Sequence, residues 1–478
     1  MRSVLDAPSQ RQIKIIEFLT NSDGWVTIGS LAKNLGVATK TINEDISIIR
    51  ETWGKELNIE SSFVYGIRIN QVSSSILLMI FSDLFNESLS VKWIELVFYT
   101  PYKDIKYYAE MLHVSQSTLY RLRTKINVFF DKYGISLNSH QSLYYFTADN
   151  EIVYRKIMTT ILTEVSGVFL LEMIEKDILT NLQKRISQEV LKKYIERHNL
   201  NIYYFTVFYY VSLVRENQGF NVEKRYTSQV KVKPLSSNYL LFLISHFSRV
   251  KEEQINNIEA DIIFHLEGWE NTKQKESVNK IINQFVKELF EFLNLVYTIE
   301  QFKIFEGVLN TLYLEQTNFG VPFSKLFNRF AYFSVKLQKE KPSLYKYLVS
   351  QFTNLSTELG VDFIIYIDII IYCLVTTIPE VVLYNTPQKI LVVSDFSEKH
   401  AKFIVERLSY SVSTKQYSSV LFDHTTKDKL SQINLRDYHF IVSNCLVNDD
   451  CLDVILIDDY PTYKDISRVT YQINLFFQ

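Results

Sequence analysis

Residues 112–130 read LHVSQSTLYRLRTKINVFF, and their spacing predicts a helix with two unlike faces. A helix turns about 100° per residue, so residues three or four positions apart share a face. The apolar face carries Leu119, Leu122, Ile126, Phe129 and Phe130. The opposite face carries Ser117, Tyr120, Arg121 and Thr124, with Gln116 and Lys125 at its edges. One side is therefore expected to be buried, and the other to form hydrogen bonds with an anionic partner.

The composition limits how such a partner is bound. The chain has 478 residues and a formal net charge of -2, so attraction to nucleic acid must come from a local patch. It has only 12 glycines and neither GxGxxG nor GxxxxGK[ST], which disfavours a glycine-rich phosphate loop. Cys373, Cys445 and Cys451 form no CxxC pair, and the aspartates near the last two are interpreted as a solvated loop, not a metal site. We expect a cytoplasmic protein without a metal or other cofactor.

One apolar stretch, residues 361–383, approaches the length of about 20 residues that a membrane span needs. Asp362 and Asp368 would each cost roughly 2.5–3.5 kcal/mol near the centre of a bilayer, and Pro379 interrupts the far end. We interpret this stretch as a buried bundle helix and expect no membrane partner.

An internal repeat displaced by 77 residues organises the N-terminal third. Each copy has a short helix with a small residue (Ala32 or Ala109), a tight turn (Gly36 or His113), a second helix, and an alternating segment typical of a two-stranded wing. A small residue in the first helix of a helix-turn-helix lets the second helix cross closely. The pattern predicts two winged helix-turn-helix units in tandem.

A recognition helix presents polar and basic side chains to the major groove while its rear face packs on its own domain. In the second copy, Gln116 and Arg121 are candidates for base edges. Candidates for phosphate contacts are Ser115, Lys103, Lys106 and Lys125, and the same outward face adds Ser117, Tyr120 and Thr124. In the first copy the candidates are Thr39, Lys40, Asn43 and Ser47, beside Glu44, which repels phosphate unless it accepts a hydrogen bond from cytosine. A charged face is also typical of any solvated helix, but its repetition with a wing favours double-stranded DNA.

The rest of the chain changes character twice. Residues 160–385 show apolar spacing typical of helices and are long enough for two successive bundles. After Pro387, short apolar runs alternate with an amphipathic helix, which predicts a small α/β domain with a mostly parallel sheet. The predicted fold is therefore multidomain and mainly α.

This order of parts resembles the Mga/AtxA family of Gram-positive transcriptional regulators over essentially the whole chain. The resemblance implies winged helices at 1–70 and 71–160, bundles similar to phosphotransferase-system regulation domains (PRDs) at 161–287 and 288–386, and an enzyme IIB-like domain at 387–478. It also implies a non-enzymatic activator that binds promoter DNA and forms a homodimer through its C-terminal domain. RNA polymerase and the phosphodonor HPr are the further partners that it suggests.

The family's phosphorylation motifs are only partly present. A regulation domain carries a histidine seven residues before Arg-x-x-x-Gly; Arg215 and Gly219 are here, but the histidine position is Phe208. The stretch EADIIFHLEG places His265 at the family's second histidine, with the alternative that it is an ordinary core residue. Imidazole is suited to reversible phosphoryl exchange near neutral pH. The candidate acceptors are His265, His198 and His246.

The C-terminal domain departs from the enzyme IIB pattern, because Ser394 stands where active members have a cysteine after the first strand. We therefore expect a domain used for contacts, without catalytic residues. Two alternatives remain at this point: a phosphocarrier enzyme of the phosphotransferase system, and a protein-interaction scaffold that does not bind DNA.

Overall fold

The computed structural model describes residues 2–22, 24–70, 72–165, 176–194, 201–222, 232–269, 271–320, 328–383, 388–412, 420–447 and 452–477. These residues are mainly helical, with two antiparallel hairpins and one four-stranded sheet. The chain divides into two compact units. The first comprises Met1–Ser277 and Gly307–Tyr332, and the second comprises Val278–Glu306 and Phe333–Gln478.

The first winged helix contains α1 (Ala7–Asn21), α2 (Ile28–Leu35), α3 (Thr39–Leu57), β1 (Ile59–Ser62) and β2 (Gly66–Ile69). The Thr27 side chain accepts a hydrogen bond from the Ser30 N–H and so caps α2. Gly36 ends α2 with φ +67°, a conformation that glycine adopts without steric cost. The strands β1 and β2 form the first wing, as predicted.

The second winged helix contains α4 (Ser74–Asn86), α5 (Leu89–Tyr99), α6 (Ile105–Met111), α7 (Gln116–Phe130), β3 (Ile135–His140) and β4 (Leu143–Ala148). The strands β3 and β4 form the second wing. His113 has φ +54° and takes the place of Gly36 in the turn. Ala32 and Ala109 are both buried, and so are Ile42 and Leu119 ten residues after them. The predicted repeat is confirmed, whereas α4 and α5 were not predicted as separate helices.

The rest of the first unit is helical, with α8 (Glu151–Val165), α9 (Lys176–Arg185), a π-helical turn (Ile186–Val190), α10 (Ile202–Asn217), α11 (Ser237–His246) and α12 (Glu252–Glu267). The helices α13 (Thr272–Phe292) and α14 (Ile299–Phe319) follow. The predicted domain boundaries at 160/161 and 287/288 fall inside α8 and α13. No glycine- or proline-rich linker marks these transitions, so a periodic pattern alone could not locate them.

The second unit contains α16 (Pro342–Leu359) and α17 (Ile367–Thr377), and α15 (Arg329–Glu340) leads into it. The apolar stretch 361–383 is broken into a 3-10 turn capped by Asp362, then α17, then a second turn that begins at Pro379. Among the described residues, no helix combines the length and apolar character of a membrane span.

The chain ends in the predicted α/β domain, with β5 (Gln388–Ser394), α18 (Glu398–Val412), β6 (Val420–Thr426), β7 (Phe440–Ser443), β8 (Val454–Leu456) and α19 (Tyr463–Phe477). All of its strand pairs are parallel, in the order β6-β5-β7-β8. β5 lies inside the sheet, and apolar side chains cover both of its faces. A parallel sheet needs such cover on both sides.

Candidate nucleic-acid interface

The helix α7 presents the polar face that its sequence predicts. Ser115 caps its first turn by accepting a hydrogen bond from the Thr118 N–H at 3.2 Å. Leu119, Ile126 and Phe130 have no exposed surface and hold the rear face in the core. The predicted contact residues on the outward side are all exposed: Ser115, Gln116, Ser117, Tyr120, Arg121 and Thr124.

Two lysines outside α7 extend this face. Lys103 and Lys106 are exposed, and Lys103 pairs with Tyr144 in an isolated bridge that joins it to the second wing. The Tyr144 N–H donates to the Lys103 carbonyl at 2.9 Å, which fixes the lysine beside the wing. Lys106 lies 3.9 Å from Glu110 in an exposed pair that contributes little to stability. The sequence identified these cations, but the bridge that orders Lys103 was missed.

Lys125 does not lie where a phosphate contact requires it. Its side chain is half-buried, and its ammonium donates a hydrogen bond to the Leu5 carbonyl at 2.5 Å. Burial lowers the pKa of Lys125, although nearby Asp6 acts in the opposite direction. We therefore correct the interpretation of Lys125: it joins α7 to the segment before α1. Helical spacing placed it at the edge of the face and could not show this contact.

The second wing positions α7 through uncharged acceptors. The Arg123 Nε donates to the Leu137 carbonyl at 3.0 Å, and its guanidinium lies 5.3 Å from the Tyr144 ring centre. The Asn127 side chain accepts from the Leu137 N–H at 2.7 Å and donates to the Leu137 carbonyl. Arg123 is thus engaged by the wing, which leaves Arg121 as the arginine that points outward.

The first winged helix presents a less basic face. The predicted residues Thr39, Lys40, Asn43 and Ser47 are all exposed on α3, and so is the acidic Glu44. Arg50 continues the same face one turn further on and donates to the Ser61 hydroxyl of the first wing. The spacing 43, 47, 50 could have identified Arg50 from the sequence, but that position was missed.

Two contacts connect the winged helices within the first unit. One is the bond from Lys125 to Leu5. In the other, the Trp53 indole N–H on α3 donates to the Asp83 carboxylate on α4 at 3.1 Å. Each of these bonds joins an element of one winged helix to an element of the other.

The candidate phosphate acceptors differ in exposure. His265 is 5% exposed; its Nδ1 lies 2.6 Å from the Asp261 carbonyl, and its ring stacks on Phe319. Burial, together with nearby Lys156, lowers its pKa to about 4. His246 is exposed, with its Nδ1 2.9 Å from the Phe242 carbonyl. His198 lies outside the described residues.

Ser394, the residue at the cysteine position, is fully buried at the end of β5. Its hydroxyl lies 2.8 Å from His400 Nδ1, and His400 Nε2 lies 2.8 Å from the Asp459 carbonyl. The hydroxyl is thus held within a network and has no surface for an incoming phosphoryl group. Among the described residues, no cluster of histidine, cysteine, aspartate and glutamate could hold a metal. The proposed loop around Cys451 lies outside the described residues.

Tandem winged helices with outward-facing recognition helices define a DNA-binding regulator. Comparison with known proteins agrees: the M protein trans-acting positive regulator (MGA) HTH domain matches residues 8–62, and the Mga helix-turn-helix domain matches residues 74–144. The chain is 21% identical to the capsule synthesis positive regulator AcpB of Bacillus anthracis, over 98% of each chain. It is 22% identical to a putative trans-acting regulator of Streptococcus pneumoniae serotype 4, over 94% of this chain and 93% of the relative.

Both domain models match, and the similarity to these regulators extends along nearly the whole chain, which supports the resemblance to the Mga/AtxA family. The chain is a DNA-binding transcriptional regulator.

Proposed function

We propose that α3, α7 and the two wings contact promoter DNA as one surface, with most of the electrostatic attraction supplied by the second winged helix. The observation that carries this proposal is the exposed face of α7, where Arg121 is extended by Lys103 and Lys106. Gln116 and Arg121 are placed to contact base edges, whereas Ser115 and the lysines contact phosphates. Ser117, Tyr120 and Thr124 border them. Thr39, Lys40, Asn43 and Ser47 are the corresponding contacts of α3.

The test is a titration of promoter-length duplex against the full chain at several salt concentrations. Lys103→Ala with Lys106→Ala removes two proposed phosphate contacts, so the slope of log affinity against log salt should become shallower by about 2. Lys273→Ala with Lys275→Ala is the matched control, because it removes the same charge from exposed positions on α13. Equal slopes for the two double variants would reject this surface.

We further propose that the protein activates transcription together with RNA polymerase, since its relative AcpB is named a positive regulator. We assign the helical regions to PRD-like bundles and the last domain to an enzyme IIB-like fold that mediates homodimer formation. Exposed aromatic residues support self-association: Tyr463 and Tyr471 lie two turns apart on one side of α19 and are 85% and 66% exposed. Sedimentation equilibrium should show that Tyr463→Ser with Tyr471→Ser weakens a dimer; an unchanged association constant would exclude this face.

We also propose modulation by phosphoryl transfer from HPr, with His246 as the acceptor in the first bundle. A donor must approach a ring nitrogen directly, and of the two described bundle histidines His246 is exposed while His265 is buried. Incubation with phosphorylated HPr should label the wild type and His265→Gln but not His246→Gln. Label retained in His246→Gln and lost in His265→Gln would show that the bundle opens to expose the buried ring.

A further inference from the structure

The loop of the first wing exposes apolar side chains where a DNA-contacting wing would ordinarily be polar or basic. Strands β1 and β2 pair from Ile59 with Ile69 to Ser62 with Gly66, which leaves a loop of three residues. In that loop Phe63 is 113% exposed, Val64 78% and Tyr65 62%. The whole tip, residues 61–67, reads SSFVYGI and carries no charge. It therefore cannot act as a phosphate clamp.

The tip is held rigidly. The Ser62 hydroxyl accepts hydrogen bonds from the N–H groups of Val64 and Tyr65, both at 3.2 Å. At the base of the wing, Val26 and Ile67 exchange two backbone hydrogen bonds of 2.8 Å. Gly66 has φ +99°, and a Cβ there would lie 2.2 Å from the Val26 carbonyl oxygen. Because the loop is already ordered, binding of a partner to its apolar side chains has a low entropic cost.

Two cationic contacts place this tip beside the proposed DNA surface. Arg50 of α3 donates to the Ser61 hydroxyl, so the wing continues the outward face of the recognition helix. The Arg68 guanidinium lies 4.7 Å from the Trp25 ring centre, and Trp25 in turn lies 6.2 Å from Tyr65. Arg68 is paired with Glu60 at 2.7 Å, so Arg50 is the arginine that supplies positive charge beside the tip. An aromatic tip beside a cation matches DNA, which offers anionic phosphates around stacked apolar bases.

We propose that the first wing enters the minor groove and inserts Phe63 between two adjacent base pairs. The phenyl ring acts as a wedge that unstacks this base step and bends the duplex. This inference rests on the proposed DNA surface and adds the way in which the first winged helix contributes to it. A stable protein interface buries about 800 Å² on each partner, which a three-residue loop cannot supply alone. A single projecting phenyl ring, by contrast, has the size of the wedges that kink DNA.

The experiment uses the full chain and a promoter-length duplex in two forms. One form carries 2-aminopurine at successive steps to report unstacking, and the other carries a fluorophore at each end to report bending by energy transfer. Wild-type protein should raise the fluorescence at one step and bring the ends closer. Phe63→Ala should lose both signals and bind roughly tenfold more weakly, with an unchanged salt slope because it removes no phosphate contact.

Phe63→Trp should restore both signals, and Leu143→Ala at the tip of the second wing should leave them unchanged. Phe63 has no buried surface to lose, so its replacement does not threaten the fold. Identical bending by wild type and Phe63→Ala would overturn the proposed wedge. Loss of transcription in Phe63→Ala without loss of bending would also overturn it, because that result indicates that Phe63 contacts a protein partner. Neither result bears on the proposed DNA surface, which is tested separately by the salt slope of the Lys103 and Lys106 double variant.

Discussion

The first winged helix holds its recognition helix by an ion pair with a buried carboxylate, whereas the second uses hydrogen bonds to backbone groups of its wing. In the first, the Arg11 guanidinium binds Asp45 of α3, whose side chain is 3% exposed. In the second, Asn127 and Arg123 of α7 both bind the backbone of Leu137. The two winged helices thus hold their recognition helices in place by different kinds of interaction. Among the contacts of the described residues, the buried Asp45 carboxylate on α3 has no counterpart on α7.

The outward surfaces differ as well. The first recognition helix exposes Lys40 beside Glu44, and its wing ends in the apolar loop around Phe63. The second exposes Arg121 near two lysines, and its wing ends in a two-residue turn, Gln141 and Ser142, with positive φ at both. The comparison teaches that two copies of one unit can present different surfaces: the second copy exposes the more basic face, and the first exposes an apolar tip.

The largest expected effect comes from breaking the ion pair between Arg11 and Asp45. Asp45→Ala leaves Arg11 without its carboxylate, so the free energy of unfolding should fall by roughly 2–4 kcal/mol. This is less than the roughly 3–5 kcal/mol for breaking a fully buried pair, because the Arg11 side chain is 20% exposed. Urea denaturation measures the change. Glu87→Ala is the control, since it breaks the exposed pair with Lys92 and should cost less than about 1 kcal/mol.

The next effect concerns the link from the second winged helix to the bundle. α8 follows β4 directly and carries Lys156, which pairs with Glu315 and lowers the pKa of His265 further. Because the folded pKa of about 4 lies below the ordinary 6.5, the neutral ring stabilises the fold above 6.5, and this contribution is lost as the pH falls towards 4.

Between neutral pH and about pH 5, the free energy of unfolding of the wild type should fall by roughly 2 kcal/mol more than that of His265→Phe. Hydrogen exchange should rise in α8 and the second winged helix before it rises in α3. Parallel pH profiles for the two proteins would show that His265 accepts a proton in the folded state.

A smaller expected effect concerns the stability of the second wing compared with that of the first. Asn127→Ala removes the acceptor of the buried Leu137 N–H and should destabilise the second winged helix by about 1–2 kcal/mol. Hydrogen exchange at Leu137 should accelerate, while the first wing stays protected. Asn138→Ala serves as the control because its side chain bonds only the Thr147 hydroxyl among the contacts described. Equal acceleration in both variants would mean that the wing does not depend on Asn127.

The smallest expected effect distinguishes the lysines that contact DNA from those that bind within the protein. Lys125→Met should leave the salt slope of DNA binding unchanged, because the ammonium binds the Leu5 carbonyl. Lys103→Ala should reduce the same slope by about 1, because Lys103 is a proposed phosphate contact. Fluorescence anisotropy over a range of salt concentrations measures both slopes. A slope reduced equally by Lys125→Met would return this lysine to the DNA surface.

Much of the candidate site could be predicted because helix faces follow from local spacing. The outward positions of α3 and α7, both wings and the left-handed turn residues Gly36 and His113 came from the repeat alone. The predicted boundary at 287/288 falls inside α13, and Arg50 was missed although it follows the same spacing as Ser47.

The sequence by itself determined the tandem winged helices, the parallel C-terminal sheet and the exposed face of α7, since periodicity of 2.0 or 3.6 residues is a property of neighbouring positions. Only the tertiary structure decided which cations remain available to DNA. Lys125 is bound to a carbonyl 120 residues away, Arg123 to the second wing, and His265 is enclosed by helices distant in the chain. Burial and pairing depend on contacts between remote segments, and no local pattern encodes them.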